Sequence, residues 1–282
     1  MKRLALLSAT CALALAACTT VRPPAAPQGT TAYGLDTQGR LVTFGTDNAA
    51  ASLRRVAVTG LPSGETLIDL DVRNTDNRLY AMSGTGRLYR LDPVTGALTP
   101  DGASLTAGVT PVAIDFNPAA NRLRIFAETD RNFRLTPSTP PTPGASPAGT
   151  VTDDGMLMYV GGTPNPNLVA AAYTNSFNNS AAGAALPTAT TLYSVDADQD
   201  TLVLHSVGPQ FSMLAPVGKL GVDAVKGMTG FDIAGADMAY LSVSMGGNTM
   251  LYTVNLTTGA ATAKSTVGGL TLRSFALALP NP

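Results

Sequence analysis

Apolar residues in this chain come in short runs, and Gly, Asn and Asp punctuate the gaps between them. The three-and-four spacing of an amphipathic helix is hardly found anywhere. The pattern therefore predicts an all-β chain of short strands joined by turns.

One phrase recurs through it. Asn77-Arg78-Leu79-Tyr80 is followed by Leu88-Tyr89-Arg90-Leu91-Asp92-Pro93-Val94-Thr95-Gly96. Echoes stand at Leu192-Tyr193-Ser194-Val195-Asp196 and at Leu251-Tyr252-Thr253-Val254-Asn255-Leu256-Thr257-Thr258-Gly259. A unit repeated every 40–50 residues or so marks a propeller or a solenoid. Gly-x-Thr at Gly64, Gly108 and Gly227 leads each time to an apolar–Asp–apolar core, at Asp71, Asp115 and Asp232. These cores are read as strand a, the runs from Leu79, Leu123 and Tyr240 as strand b. The Leu-Tyr segment is strand c, and Ala97–Thr99 or Thr201–Leu204 is strand d. Gly161 to His205 reads as a divergent copy, with Leu168–Tyr173 as strand b and Ser176–Thr190 inserted before strand c.

The two ends separate ring from solenoid. A fourth Gly-x-Thr, at Gly269, introduces Leu272–Leu279, a lone strand a. Thr31–Leu35, Arg40–Phe44 and Leu53–Val58 resemble strands b, c and d with no strand a before them. Complementary half-units are what a propeller needs to close, whereas a solenoid would carry polar caps. The count predicts a five-bladed β-propeller, its C-terminal strand paired with the N-terminal strands.

Several segments resemble a bacterial family of extracellular or envelope proteins, domain of unknown function 4394. They are Phe116-Asn117-Pro118 with Asn121-Arg122-Leu123-Arg124, Ala170–Asn175, Thr191-Leu192-Tyr193, Phe231-Asp232-Ile233 and Leu251–Leu256. The resemblance runs from about Thr31 to Leu279. It implies no catalytic residues, because the family has no assigned activity. The Pro-rich run Thr136–Pro147, read as an exposed loop, is longer than is usual there.

Composition adds an address. Met1-Lys2-Arg3 and the apolar stretch Leu4–Ala17 form a secretory signal, too short to span a membrane. Leu15-Ala16-Ala17-Cys18 resembles a lipobox, which would make Cys18 a lipidated N-terminus; the plainer alternative is cleavage after an Ala-x-Ala site. Thr19 stands where an inner-membrane retention signal carries Asp, which points to the outer membrane. Residues 18–30, with Pro23, Pro24 and Pro27, then read as a tether and 31–282 as a single domain. Removing Lys2 and Arg3 from the 18 basic residues leaves 16 against 19 acidic, near −3. With no basic stripe, nucleic acid is excluded as a partner. With Cys11 removed, no intramolecular disulfide can form.

Chemistry is sparse. Asp71, Asp115 and Asp232 recur between blades, so they either ring the channel as a cation site or bond backbone N–H groups of neighbouring blades. Asp196, Asp198 and Asp200 alternate as calcium ligands do, but an EF-hand's glycine and glutamate are replaced by Thr201 and Val207. A tight c–d turn is the preferred reading of them. His205, the one histidine, excludes a histidine-rich zinc site and reads as a surface or turn residue. No nucleophile elbow is present, and Met245–Asn248 is too short for a phosphate loop. Arg78, Arg87, Arg90, Arg122, Arg124, Arg131 and Arg134 either pair with acids or make a face for an anion. The insertion, with Tyr173, Asn175, Phe177, Asn178 and Asn179, is the preferred ligand site or else a tolerated loop. The expectation is an envelope lipoprotein with no cofactor except possible calcium, binding a protein, peptide or glycan. The alternative is an extracytoplasmic hydrolase or lyase using a channel cation.

Overall fold

Among the described residues five small sheets, four of four antiparallel strands and one of five strands, stand in a ring around a central channel. The computed structural model describes residues 23–138, 146–206, 208 and 210–282. The segment expected to be a signal and Cys18 lie outside the described residues, as does the middle of the Pro-rich run after Thr136. Among the described residues, no helix is long and apolar enough to cross a membrane.

The first blade opens with β1 (Thr31–Asp36) and β2 (Arg40–Gly45). A short helix, α1 (Ala49–Ser52), then leads to β3 (Arg54–Ala57). Blade two is β4 (Leu67–Arg73), β5 (Arg78–Ser83), β6 (Arg87–Leu91) and β7 (Leu98–Ser104). Blade three is β8 (Pro111–Asn117), β9 (Arg122–Ala127), β10 (Arg131–Leu135) and β11 (Val151–Met156). Blade four has an edge piece, β12 (Met158–Tyr159), then β13 (Leu168–Tyr173), β14 (Leu192–Asp196), β15 (Thr201–His205) and β16 (Met213–Lys219). Blade five is β17 (Thr229–Ala234), β18 (Met238–Met245), β19 (Asn248–Val254) and β20 (Ala261–Gly268).

The last strand, β21 (Leu272–Leu277), completes blade one as its innermost member. It pairs with β1 in the register Tyr33↔Ala276 and Gly34↔Phe275. The ring thus closes by joining the chain's two ends, as the half-units predicted.

Five apolar clusters fill the gaps between adjacent blades. Tyr80, Met82 and Leu88 meet Phe116 and Ile125 between blades two and three, for example. Each blade offers both faces to its neighbours, so its strands are apolar on both sides and side-chain alternation is blunted. Packing at the channel is close enough that Gly230 is required: a Cβ there would stand 2.5 Å from that of Phe275.

Blade four corrects the sequence reading. Leu168–Tyr173 is its innermost strand, not its second, and the Leu-Tyr segment is its second. The fourth strand, Met213–Lys219, went unassigned. The cause is Ala172, which stands where Asp71, Asp115 and Asp232 stand in other blades and removes the marker. The insertion therefore lies between the first and second strands of this blade.

Candidate functional site

All five innermost strands run in the same direction through the channel. Three of them carry an aspartate at matching positions: Asp71, Asp115 and Asp232, all nearly fully buried. Ala172 and Ala276 occupy the other two places. Two residues earlier the row reads Asp69, Ala113, Ala170, Gly230 and Ser274.

Each carboxylate reaches sideways to the next blade. Asp71 accepts the N–H of Phe116 at 2.6 Å and that of its own neighbour Val72 at 2.6 Å. Asp115 accepts the N–H of Tyr173 at 3.0 Å, and Asp232 those of Leu277 and Ile233, both at 2.6 Å. Asp69 adds a second tie to blade three through the N–H of Ile114 at 2.8 Å. The recurring acids hence stitch three of the five blade junctions.

They also crowd one another. One carboxylate oxygen from each of Asp71, Asp115 and Asp232 lies within 4.8 Å of the other two. Burial, then the nearby Asp232 charge, pushes Asp71 well above the usual carboxylate range. Asp115 is raised likewise by burial and by Asp71. Burial raises Asp232 to about 7 and Asp69 to about 7. Asp69 keeps some exposure, but only to the narrow channel, whose walls still strip it of water.

One end of the channel is sealed. Residues 174–191, the inserted loop, cross the face where the innermost strands end. Asn179 donates its N–H to the Asn74 carbonyl at 2.9 Å, and Asn178 to the Pro280 carbonyl at 2.8 Å. Ser176 and Gly235 exchange a pair of backbone bonds, and Phe177 packs on Gly235. Asn175 takes a positive φ of 62° and donates to the Ala189 carbonyl. The loop is a plug, its polar groups spent on the fold, and Tyr173 at its base is fully buried against Arg124.

The opposite end is open. The cavity there, about 200 Å³, is lined by the first halves of the innermost strands, with the acids at its floor and Glu128, Lys226 and Arg273 at its mouth. Lys226 and Glu128 pair at 2.7 Å, joining blade five to blade three at the rim.

Other candidates disperse. Asp196 is fully buried in the turn between the second and third strands of its blade, not a c–d turn, and caps Asp198 and Gln199. It also accepts the Tyr159 hydroxyl at 2.6 Å. Asp198 faces Asn167 and Asp200 the N–H of Ala224, so the alternating acids diverge. His205 is not at the surface. It is 2% exposed, stacked on Phe126, with Nδ1 donating to the Phe211 carbonyl at 2.7 Å and Nε2 facing Ser194 Oγ at 2.8 Å. Among the arginines, Arg87, Arg124, Arg131 and Arg134 each pair with a carboxylate. Arg122 donates to the carbonyls of Arg134 and Thr150.

Asp69 and Ser274 belong to the channel, yet the repeat did not reveal them. The Asp-x-Asp of Asp69 and Asp71 was the available signal for the first; nothing in the sequence pointed to the second.

A family model described as Domain of unknown function (DUF4394) matches residues 40–276. No curated protein matches the chain. Among solved structures it is similar to a chain of a nidogen/laminin complex, at 12% identity over 90% of this chain and 100% of that one, with a TM-score of 0.51. It is also similar to a structural genomics protein of unknown function from Bacteroides thetaiotaomicron VPI-5482. There the identity is 16%, the TM-score 0.52, and the match covers 85% of this chain and 56% of that one. At these identities the likeness extends to the fold alone.

Proposed function

Because the chain belongs to the DUF4394 family, which brings a fold without an activity, we propose its role from geometry: a lipid-anchored envelope module that binds its ligand at the open mouth of the ring. The observation that carries this reading is where the chain enters the domain. From Ala25 onward the N-terminal segment lies along blade one, with the Ala25 N–H on the Ala51 carbonyl and Gln28 on Asn48. It arrives at the start of β1, on the plugged face. With Cys18 lipidated, seven residues, 18–24, separate the lipid from Ala25, a contour of at most roughly 25 Å. The sealed face is thereby held toward the membrane, and the mouth faces away from it. A bacterial outer membrane is the setting, and a protein, peptide or glycan the ligand.

In-cell photocrosslinking tests the reading. A photoreactive residue at Met245, on the mouth face, is expected to capture a discrete species, and one at Val94, on the plugged face, is not. Equal capture from both faces, or none from Met245, overturns it.

A second reading, an extracytoplasmic hydrolase or lyase, is favoured by Asp69. A channel carboxyl pushed up to about 7 is suited to general acid or base work near neutrality. Hydrolysis of a glycan or ester panel, lost in Asp69→Asn, would establish it; no turnover of the panel would remove it.

A further inference from the structure

We propose that the outer rim of blade four binds one soft monovalent metal ion of the copper(I) class, through the thioethers of Met156, Met158 and Met213. The site lies at the edge of the ring, away from the channel, and does not depend on a ligand at the mouth. Its residues meet where the chain passes from blade three to blade four. Met156 ends β11, and Leu157 keeps a backbone bond to the Asp130 carbonyl of blade three. Met158 begins β12 with its N–H on the Ser212 carbonyl, and β12 runs parallel to β16 with Met158 opposite Met213.

The pleat turns the three side chains the same way. Met156, Met158 and Val160 are exposed, whereas Leu157 and Tyr159 between them are buried. On the neighbouring strand Met213 is exposed and Leu214 buried. Residues two apart on one face of a strand stand about 6.6 Å apart, and neighbouring strands about 4.8 Å. The methionine side chain is unbranched and freely rotating, so sulfurs at these spacings can close on one ion.

Two further observations point to the sulfurs rather than to apolar surface in general. Among the described residues, the exposed large apolar side chains are methionine and valine alone. A general docking face is enriched in aromatic rings as well, and no ring is exposed here. The second observation concerns lone pairs. Met238 Sδ accepts the Thr30 hydroxyl at 3.4 Å, and Met250 Sδ the Tyr252 hydroxyl at 3.3 Å. No such bond engages Met156, Met158 or Met213 among the described residues, so their sulfurs are open to a metal.

The donor set chooses the ion. Thioethers are soft and select copper(I), whereas hard cations want carboxylate and carbonyl oxygens. No harder donor is spare beside them. Asp153 is held by Arg131 and by the Gly155 N–H, and His205 is buried with both ring nitrogens bonded. Arg131, across from Met156, spends its charge on the same Asp153.

Anaerobic titration with copper(I), read by competition against a chromophoric copper(I) chelator, tests the site. The full chain carrying Cys11→Ser and Cys18→Ser is used, because it has no thiol. One copper(I) per chain is expected, displaced by silver(I) and not by zinc(II). Met158→Leu keeps the side-chain volume. It is expected to weaken copper(I) about tenfold or more, since even groups that only orient a metal's ligands are worth that much. Met250→Leu is expected to leave the affinity unchanged. Bound copper(I) or silver(I) should also shield Met156, Met158 and Met213 from sulfoxide formation by hydrogen peroxide, read by peptide mass, and leave Met250 unshielded. A chain that binds no copper(I), or yields it to zinc(II), overturns the proposal. So does a Met158→Leu chain that binds as well as its parent, or shielding that extends equally to Met250.

Discussion

Asn179 and Asn74 hold each other across the sealed face of the ring. The backbone N–H of Asn179 meets the Asn74 carbonyl at 2.9 Å, and Asn74 Nδ2 meets Asn179 Oδ1 at 3.2 Å. Asn74 Nδ2 also donates to the Pro118 carbonyl, so one side chain ties the plug to two blades. Asn179→Ala removes the amide and leaves a buried donor short of a partner. It is expected to lower stability by about 1–3 kcal/mol in denaturant unfolding. Hydrogen exchange should accelerate in residues 176–186 while the strands of blades one and two keep their protection. Uniform acceleration across the ring would mean the loop is not a separately held plug.

The crowded acids give a stability effect of opposite sign. The mutual repulsion of Asp71, Asp115 and Asp232 opposes folding once they ionise. Asp115→Asn relieves it without giving up the bond to Tyr173, so its melting temperature is expected to exceed that of wild type. Asp71→Ala also removes charge but strands the N–H groups of Val72 and Phe116, at about 1–3 kcal/mol each. It is expected to melt lower. The pH sense follows from Asp69 and Asp232, both raised to about 7. A carboxyl whose folded value is raised contributes no penalty below the unfolded value near 4 and its full penalty above the folded one. Stability should fall as pH rises from about 4 to 7.

His205 works the other way. Burial lowers it to about 3, so it stays neutral in the fold, where Nδ1 donates to Phe211 and Nε2 accepts from Ser194. The unfolded chain takes up a proton near pH 6.5 and the folded chain does not. The stability involved is therefore full above about 6.5 and lost as pH falls toward 3. His205→Gln can keep both hydrogen bonds without titrating. The difference in unfolding free energy between wild type and His205→Gln is expected to shrink or reverse across that window. A difference that stays constant with pH would show that the histidine is not held neutral.

The closure of the ring was legible because its two halves echo complete units: Gly39-Arg40-Leu41 matches Gly86-Arg87-Leu88. The acids were legible because they recur. Blade four was not, since Ala172 replaces the marker aspartate and the plug separates strands that elsewhere adjoin. Its outer strand, Met213–Lys219, carries Pro216 and Gly218 and alternates poorly. Gly218 is there because the Thr258 carbonyl of blade five would lie 2.1 Å from a Cβ. Such a contact between blades leaves no periodic trace. His205 was misplaced because one polar residue after Leu202, Val203 and Leu204 looks like a strand end. A hydroxyl and a carbonyl brought from other segments make its burial possible. Ser274 is the one serine in a row that otherwise reads Asp, Ala, Ala and Gly, and only the folded channel aligns that row.

Orientation at the membrane can be read with single cysteines. Under the proposed lipid anchor Cys18 is blocked and Cys11 is cleaved off, so an introduced thiol would be the one reactive site in the mature chain. Val94 is 64% exposed in a turn on the plugged face, and Met245 is 59% exposed at the end of β18 on the mouth face. Both substitutions leave the strand cores intact. A fluorophore on Val94→Cys is expected to be quenched by nitroxide-labelled lipid in reconstituted vesicles, and one on Met245→Cys to be untouched. The proposed attachment at Cys18 sets the scale: a contour of about 25 Å from there to Ala25 would let the sealed face approach the bilayer but would not let the ring turn over without releasing Ala25–Gln28 from blade one. Equal quenching at both positions would mean that the segment detaches. Stronger quenching at Met245 would place the mouth against the lipid. A Cys18→Ser chain, which lacks the acceptor thiol, is expected to leave the membrane fraction altogether; its retention there would remove the anchor from which the orientation follows.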